Sequence, residues 1–151
     1  MRRRKWPGNP CCSFCKEVES SQHLFFTCPV VRCVWRSVGV VLGTDRCARS
    51  YWQYYVWCHS YLPGGERFYT VGLAAAYWAI WLARNRATFE KKMINTPFEI
   101  VFSMCPFLLY WTCLQQGDDA TKLRAGAEQI RASTMQMMKL CEAAKQPITG
   151  E

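Results

Sequence analysis

Histidine is scarce in this sequence, which contains only His23 and His59. With two imidazoles, no Ser-His-Asp set for nucleophilic catalysis can be assembled with support. A phosphate-binding glycine loop is also missing, since Gly64-Gly65 is not followed by Lys-Ser or Lys-Thr. We therefore predict that the chain is not an enzyme and binds no small-molecule substrate.

Acidic residues are few as well, 11 against 19 basic ones, and the formal net charge is +8. Several positive charges are consecutive at the start of the chain, where we predict an irregular basic arm over residues 1–10. Such an arm suits contacts with the phosphates of RNA or DNA. The candidate contacts are Arg2, Arg3, Arg4, Lys5 and Lys16. A solvated tail is the alternative interpretation of the arm.

Long apolar runs are absent. The two longest, 69–83 and 100–114, have about 15 residues each, against the ~20 that a transmembrane helix needs. The basic start is followed by Trp6-Pro7-Gly8 and not by the apolar stretch of a signal peptide. We expect an intracellular protein, nuclear or cytoplasmic, that is neither secreted nor membrane-bound. Its ten cysteines should then be reduced thiols or metal ligands.

Apolar residues recur at helical spacing through most of the chain, and no convincing β alternation is visible. Proline and glycine divide this pattern into five predicted helices, at 29 to 39 or 43, 50–62, 66–92, 97–117 and 118–144. The predicted fold is mostly α, with a small N-terminal module followed by a bundle of about four to five helices. We divide it into the arm (1–10), the N-terminal module with the first helix (11–43) and a helical domain (44–151).

Two helical faces are predicted to be buried. Trp78, Trp81, Asn85 and Phe89 share one face of the third helix, which we interpret as core with a polar anchor and alternatively as a nucleobase-stacking surface. The fifth helix carries a stripe of Leu123, Ala127, Ile130, Thr134, Met137 and Cys141. Six cysteines are expected to be small core residues, namely Cys33, Cys47, Cys58, Cys105, Cys113 and Cys141. Asp118 and Asp119 are expected to cap the fifth helix and not to hold catalytic metals.

A dense cluster of potential metal ligands lies near the start of the chain. Cys12 and Cys15 form a Cys-x2-Cys pair, and His23 and Cys28 follow. Three thiolates and one imidazole make a closed tetrahedral set for structural Zn²⁺. We therefore predict that the module over residues 11–43 is a zinc-binding module. The alternatives are ordinary buried thiols with a core histidine, or a set in which Cys11 replaces a ligand.

His23 and Cys28 cannot both bind one ion from a single ideal helix. Five residues correspond to a rotation of about 500°, which leaves the two side chains on different faces. We therefore predict that His23 lies before the first helix and that Cys28 stands at its N-terminal boundary, beside Pro29. The positive end of that helix would favour a thiolate there.

These residues belong to a longer pattern. The order is Cys12-x2-Cys15, Glu19-Ser20, His23-Leu24-Phe25-Phe26, Cys28-Pro29 and Val34-Trp35. A second block comprises Trp78-Ala79-Ile80-Trp81 and Arg84-Asn85-Arg86-x2-Phe89-Glu90. Together the two blocks resemble the zinc-binding domain that follows the polymerase in plant LINE-type (non-LTR) retrotransposon reverse transcriptases.

The resemblance implies that Cys12, Cys15, His23 and Cys28 bind zinc and that the chain derives from a retroelement. It also implies contact with template RNA or DNA and a reverse transcriptase core as a partner. The family's catalytic region has no counterpart in this sequence, so we expect a non-catalytic domain. The second hypothesis is a protein-interaction module that docks on a polymerase domain or self-associates.

Overall fold

The computed structural model describes residues 10–44 and 46–144, and the fold is mostly helical, as predicted. The candidate contacts Arg2, Arg3, Arg4 and Lys5 lie outside the described residues. Two π-helical turns, a first at His23–Thr27 and a second at Arg86–Glu90, accompany the α-helices. The α-helices are α1 (Pro29–Val41), α2 (Tyr51–Tyr61), α3 (Glu66–Asn85), α4 (Phe98–Thr112) and α5 (Asp118–Ala143).

The helices begin where local chemistry satisfies their first amides. Pro29 occupies the first turn of α1, where its missing N–H costs no hydrogen bond. Ser50 caps α2, because its Oγ accepts the Gln53 amide at 3.2 Å. At α4, the Glu99 carboxylate accepts the amides of Asn95 and Thr96, at 2.9 and 3.2 Å.

The fourth helix is shorter than its predicted range of 97–117, since α4 ends at Thr112, and the cap of the fifth helix precedes the predicted aspartates. α4 begins at Phe98, with Pro97 at the cap position. α5 begins at Asp118, and Gly117 holds its cap position with φ of 58°, a conformation that glycine adopts without strain. Asp118 and Asp119 therefore lie in the first turn, where negative charge favours the helix dipole.

The buried face of α3 differs from the one predicted. Ile80 and four of the five alanines are buried, namely Ala75, Ala76, Ala79 and Ala83. α3 packs against α4 and α2. Trp78, Trp81 and Phe89 lie exposed on the other side. The prediction of a buried aromatic seam was wrong because alanine counts weakly in a hydrophobic pattern, although it fits best where helices meet closely.

The cysteines divide between core and surface. Cys58 and Cys105 are buried, as predicted, and Cys47 is half-buried. Cys33, Cys113 and Cys141 are exposed, so the prediction that they belong to the core was wrong. The α5 stripe is buried at Leu123, Ala127 and Thr134 but reaches the surface by Cys141.

One cluster of buried side chains joins the N-terminal segment to the helices, running from Cys12 through Trp35 and Ile80 to Ala127. α1 packs against α4 and α5, so the segment that carries the ligands shares this core. In the stretches that the structure describes, there is neither a β-strand nor a helix whose length and apolar character would suit a bilayer crossing.

Candidate metal centre

The first two candidate ligands are held by a tight turn. The Cys12 amide donates to the Glu17 carbonyl at 2.7 Å, and the Lys16 amide donates to the Cys12 carbonyl at 3.0 Å. An antiparallel bridge between Cys11 and Val18 closes the base of the turn. Lys16 has φ of 69°, in the left-handed region, which reverses the chain directly after Cys15. The turn thus brings Cys12 and Cys15 to the same side.

The other two ligands lie at the ends of the first π-turn. The Cys28 amide donates to the His23 carbonyl at 2.9 Å, a hydrogen bond between residues five apart that is characteristic of a π-turn. Cys28 then occupies the N-cap position of α1, and Pro29 follows it. Both predictions are confirmed: His23 precedes α1, and Cys28 stands at its boundary. The wider turn solves the rotation problem that an ideal helix would pose.

The four ligand atoms converge, all lying within 4.8 Å of one another. The Sγ atoms of Cys12 and Cys28 are 3.8 Å apart. Two thiolates on a tetrahedral zinc lie about 3.8 Å apart, given Zn–S bonds of about 2.3 Å. Cys15 Sγ is 3.1 Å from His23 Nε2, so this pair must separate by about 0.5 Å to reach tetrahedral spacing. The donor set and its geometry therefore fit a single metal ion.

Burial disfavours the charged thiolate form of a cysteine at this site. Desolvation raises the pKa of the Cys28 thiol to about 12, and the neighbouring Cys12 and Cys15 also raise it. The backbone amides of Val31 and Val30, at the start of α1, act in the opposite direction. A bound cation would reverse the balance, because a coordinating thiol is deprotonated outright. The site is thus suited to three thiolates only when a cation compensates their charge.

A carboxylate faces the other side of the His23 ring. Its Nδ1 lies 3.7 Å from the Glu17 carboxylate, while Nε2 faces Cys15. Metal-ligating histidines commonly direct their second nitrogen to a carboxylate, which fixes the ring and raises its basicity. The His23 amide also donates to Ser20 Oγ at 3.0 Å, which anchors the start of the turn. At 3.7 Å the Glu17 contact is longer than a hydrogen bond, and with Glu17 66% exposed it contributes only a weak attraction to the ring.

Two polar contacts tie the site to the end of α3 and to the second π-turn. Arg84 donates to both oxygens of the Glu19 carboxylate, with the shortest distance 2.7 Å at Nη2. The two side chains are only 22% and 15% exposed. Ser13 Oγ, within the Cys-x2-Cys turn, is 2.6 Å from Thr88 Oγ1. The turn is therefore fastened to a segment more than sixty residues away.

Aromatic residues between the ligands pack the site onto the bundle. Phe25 stacks on Tyr77 of α3, with ring centroids 4.4 Å apart. Phe26 stacks on Trp35 at 5.3 Å and meets the edge of Tyr77 at 5.8 Å. The Trp35 indole donates to the Phe25 carbonyl at 2.7 Å. The candidate ligand cluster thus shares its buried hydrophobic contacts with α1 and α3.

The structure brings together all four residues that the sequence predicted as ligands, Cys12, Cys15, His23 and Cys28. Cys11, the competing candidate, is not part of the cluster. Lys16 is exposed beside the site and donates to the Ser13 carbonyl at 3.2 Å. The sequence did not indicate that Glu17 lies beside His23 or that Glu19 pairs with Arg84, although Glu19 and Arg84 both belong to the two sequence blocks described above.

Fold and site together define a mostly helical protein with a Cys-Cys-His-Cys cluster positioned to bind a metal ion. Comparison of the chain with protein-family models, curated proteins and solved structures finds no match.

Breaking the Glu19–Arg84 pair should lower stability measurably. Arg84→Met leaves a carboxylate that is largely buried without its partner, and we expect a loss of about 2–3 kcal/mol in the free energy of unfolding. Urea unfolding of the metal-loaded protein measures this loss. Adding Glu19→Gln to Arg84→Met should restore part of it, because the uncompensated charge is then removed.

Arg67→Met is the matched control. Arg67 pairs with Asp119 at 2.7 Å, but its side chain is 77% exposed, so its loss should leave stability nearly unchanged. Equal losses in Arg67→Met and Arg84→Met would contradict a special role for the Glu19–Arg84 contact.

Proposed function

We propose that the ion bound by Cys12, Cys15, His23 and Cys28 is zinc and that its role is structural. Zn²⁺ favours thiolate and imidazole ligands, and four protein donors fill its tetrahedral shell. A filled shell leaves no open position for a reacting water molecule. No disulfide joins the cysteines from Cys12 to Cys141, which fits a reducing compartment, and we assign the protein to the nucleus or cytoplasm.

We further propose that the chain is a non-catalytic domain derived from a LINE-type reverse transcriptase. The observation that carries this proposal is the contact between the two sequence blocks of the resemblance. Glu19 of the first block pairs with Arg84 of the second, 65 residues later in the chain. A pattern whose two parts meet in space behaves as one structural unit, which supports kinship of the whole domain over agreement by chance.

The acidic pair Asp118-Asp119 supports the non-catalytic assignment. Each aspartate is engaged at the start of α5: Asp119 pairs with Arg67 at 2.7 Å, and Asp118 pairs with Lys122 at 2.6 Å. Two-metal catalysis instead needs carboxylates that converge on ions about 3.5–4 Å apart. We therefore assign these aspartates to helix initiation.

The partner that we propose is RNA or DNA, in the neighbourhood of a reverse transcriptase core. The excess of positive charge supports it, as does the exposure of Lys16 beside the metal cluster. Together with Arg2, Arg3, Arg4 and Lys5, Lys16 would contact phosphates and give affinity without sequence readout.

Fluorescence anisotropy with short labelled RNA and DNA strands tests this partner. We expect the zinc-loaded chain to bind at about 50 mM salt and to release steeply as salt rises. Replacing Arg2, Arg3, Arg4 and Lys5 with glutamine should weaken binding by about tenfold. Failure of the wild-type chain to bind either nucleic acid would refute the proposed partner.

A second candidate function is protein docking through an aromatic surface. Trp78 stacks on Trp81 at 5.2 Å and on Phe107 at 6.1 Å, and Phe107 contacts Trp111 at 6.0 Å. Trp78 and Trp81 are 47% and 42% exposed. A contiguous apolar patch of this kind often marks an interaction site. Binding to a polymerase domain, or self-association, that persists at high salt would favour this candidate over nucleic acid.

A further inference from the structure

A cleft of about 460 Å³ opens between α1 and the segment that leads into α2. Four arginines line it, together with two cysteines: Arg32, Arg36, Arg46, Arg49, Cys33 and Cys47. We name this feature the arginine cleft. It adjoins the metal cluster, because its lining also includes Pro29, the residue that follows the ligand Cys28.

The charges of the arginine cleft come from two walls. Arg32 and Arg36 are four residues apart, which places them on the same face of α1. Arg46 and Arg49 belong to the facing segment. All four side chains are exposed, and none forms an ion pair with a carboxylate of residues 10–44 or 46–144. Such a concentration of like charge is most stable when an anion neutralises it.

The facing wall is held firmly on α1. Gly39 allows a close approach, since a Cβ there would lie 2.6 Å from the Arg46 carbonyl oxygen. The Cys47 thiol donates to the Arg32 carbonyl at 3.4 Å, and Ala48 is fully buried. The backbone of Arg49 is fixed on both sides, by the Gln53 side chain at its amide and by the Gln22 side chain at its carbonyl. The backbones that carry the arginines are therefore preorganised.

Guanidinium groups match phosphate oxygens with paired hydrogen bonds. Several guanidinium groups along one cleft suit a ligand that carries several phosphate groups in a row. At the end of the cleft, α2 begins with Tyr51 and Trp52, whose rings lie 4.9 Å apart. The Trp52 side chain is 68% exposed and immediately precedes Gln53, which lines the cleft. A basic groove beside exposed aromatic rings is the arrangement that binds single-stranded nucleic acid.

We propose that the arginine cleft binds the phosphodiester backbone of a single-stranded RNA or DNA, with Trp52 stacking on a base. This inference rests on the proposed nucleic-acid function and names the surface that performs it. Because the contacts are to phosphates, binding is independent of sequence. The four cleft arginines are not among the arm residues, so the two sets can be substituted and tested separately.

The first experiment measures anisotropy of labelled oligo(U) and oligo(dT) with the zinc-loaded full chain across a salt series. The variant replaces Arg32, Arg36, Arg46 and Arg49 with glutamine. We expect at least about tenfold weaker binding and a fall in the salt slope by about 3, since each single-strand phosphate contact contributes about 0.7. Trp52→Ala should weaken binding with little change in the slope.

The matched control replaces four exposed arginines elsewhere, Arg67, Arg86, Arg124 and Arg131, with glutamine. The net charge change is identical, and we expect a much smaller loss of affinity. Equal losses in both variants would overturn the cleft proposal and leave only general electrostatic attraction. Zinc content and circular dichroism establish that each variant remains folded.

The second experiment needs no variant. Cys33 is exposed and lines the cleft, whereas Cys113 is exposed at the end of α4 and lies outside the cleft. Bound oligonucleotide should slow maleimide labelling of Cys33 severalfold and leave Cys113 unchanged. Mass spectrometry of the labelled peptides reads both sites in one sample. Unprotected Cys33 at saturating oligonucleotide would overturn the proposal.

The outcomes separate the cleft from the function on which it rests. If the wild-type chain binds oligonucleotides and the cleft variant binds equally well, the cleft proposal is wrong and the proposed function stands. If the wild-type chain binds none, both are wrong. Preference for duplex over single strands, or cleft-dependent binding of phosphopeptides or phosphatidylserine vesicles in place of oligonucleotides, would also overturn the inference.

Discussion

Replacing Cys12 with serine or His23 with alanine should abolish stoichiometric zinc binding and lower the free energy of unfolding by at least about 4 kcal/mol. The expected loss is large because Cys12 is fully buried and His23 nearly so, within the cluster that also holds Cys28. Without the cation, burial and mutual repulsion disfavour the thiolates. A domain of ordinary stability has only about 5–15 kcal/mol to lose.

Metal analysis of purified protein, combined with thermal unfolding followed by circular dichroism, measures both effects. Wild-type protein should hold one zinc per chain, and a strong chelator should reproduce the instability of the variants. Cys113→Ser is the control, since this exposed cysteine at the end of α4 should affect neither zinc content nor stability. Zinc retained by both ligand variants would refute the ligand assignment.

Trp35→Ala should cost about 4–5 kcal/mol of unfolding free energy. Trp35 is fully buried, and its ring packs on Phe26 and Tyr54, with centroid distances of 5.3 and 5.5 Å. The substitution opens a cavity and removes the hydrogen bond from the indole to the Phe25 carbonyl. Because Phe26 lies between two ligands, zinc affinity should fall together with stability.

Denaturant unfolding at saturating zinc gives the size of the loss, and competition with a chromophoric chelator gives the zinc affinity. Trp35→Phe should lose less, since it keeps an aromatic ring and forfeits the N–H donor. Trp52→Ala removes the same side chain from an exposed position and should leave stability nearly unchanged. A Trp35→Ala protein as stable as Trp52→Ala would show that Trp35 does not join the metal cluster to the bundle.

The cluster of candidate ligands was predictable because its members are close together in the sequence. Cys12, Cys15, His23 and Cys28 lie within 17 residues, and Pro29 marks where α1 begins. Helix boundaries were likewise predictable from proline, glycine and serine, because caps depend on a few adjacent residues. Errors of one or two residues arose at the starts of α4 and α5, where Pro97 and Gly117 offer no side-chain oxygen as a cap. The predicted ends at 92 and 117 were wrong by more, since α3 ends at Asn85 and α4 at Thr112.

The tertiary contacts between distant segments could not be derived in the same way. Helical periodicity shows that Trp78 and Trp81 share a face, but it cannot decide whether that face or the alanine face meets a neighbour. The pairing of Glu19 with Arg84 spans 65 residues, so no local pattern indicates it. The arginine cleft could not be predicted from the sequence either. Arg32 and Arg46 come close to one another only because the chain reverses its direction after Gly39.

The stacking of Phe25 and Phe26 on Tyr77 has a practical consequence for anyone wishing to shorten the protein. A peptide ending after α1 would contain every candidate metal ligand. It would lose Tyr77, which covers these rings, and Arg84, which neutralises Glu19. Such a peptide should precipitate or self-associate even when supplied with zinc. A minimal unit has to extend through the second π-turn, because the segment that carries the metal ligands depends on contacts with α3 and with that turn.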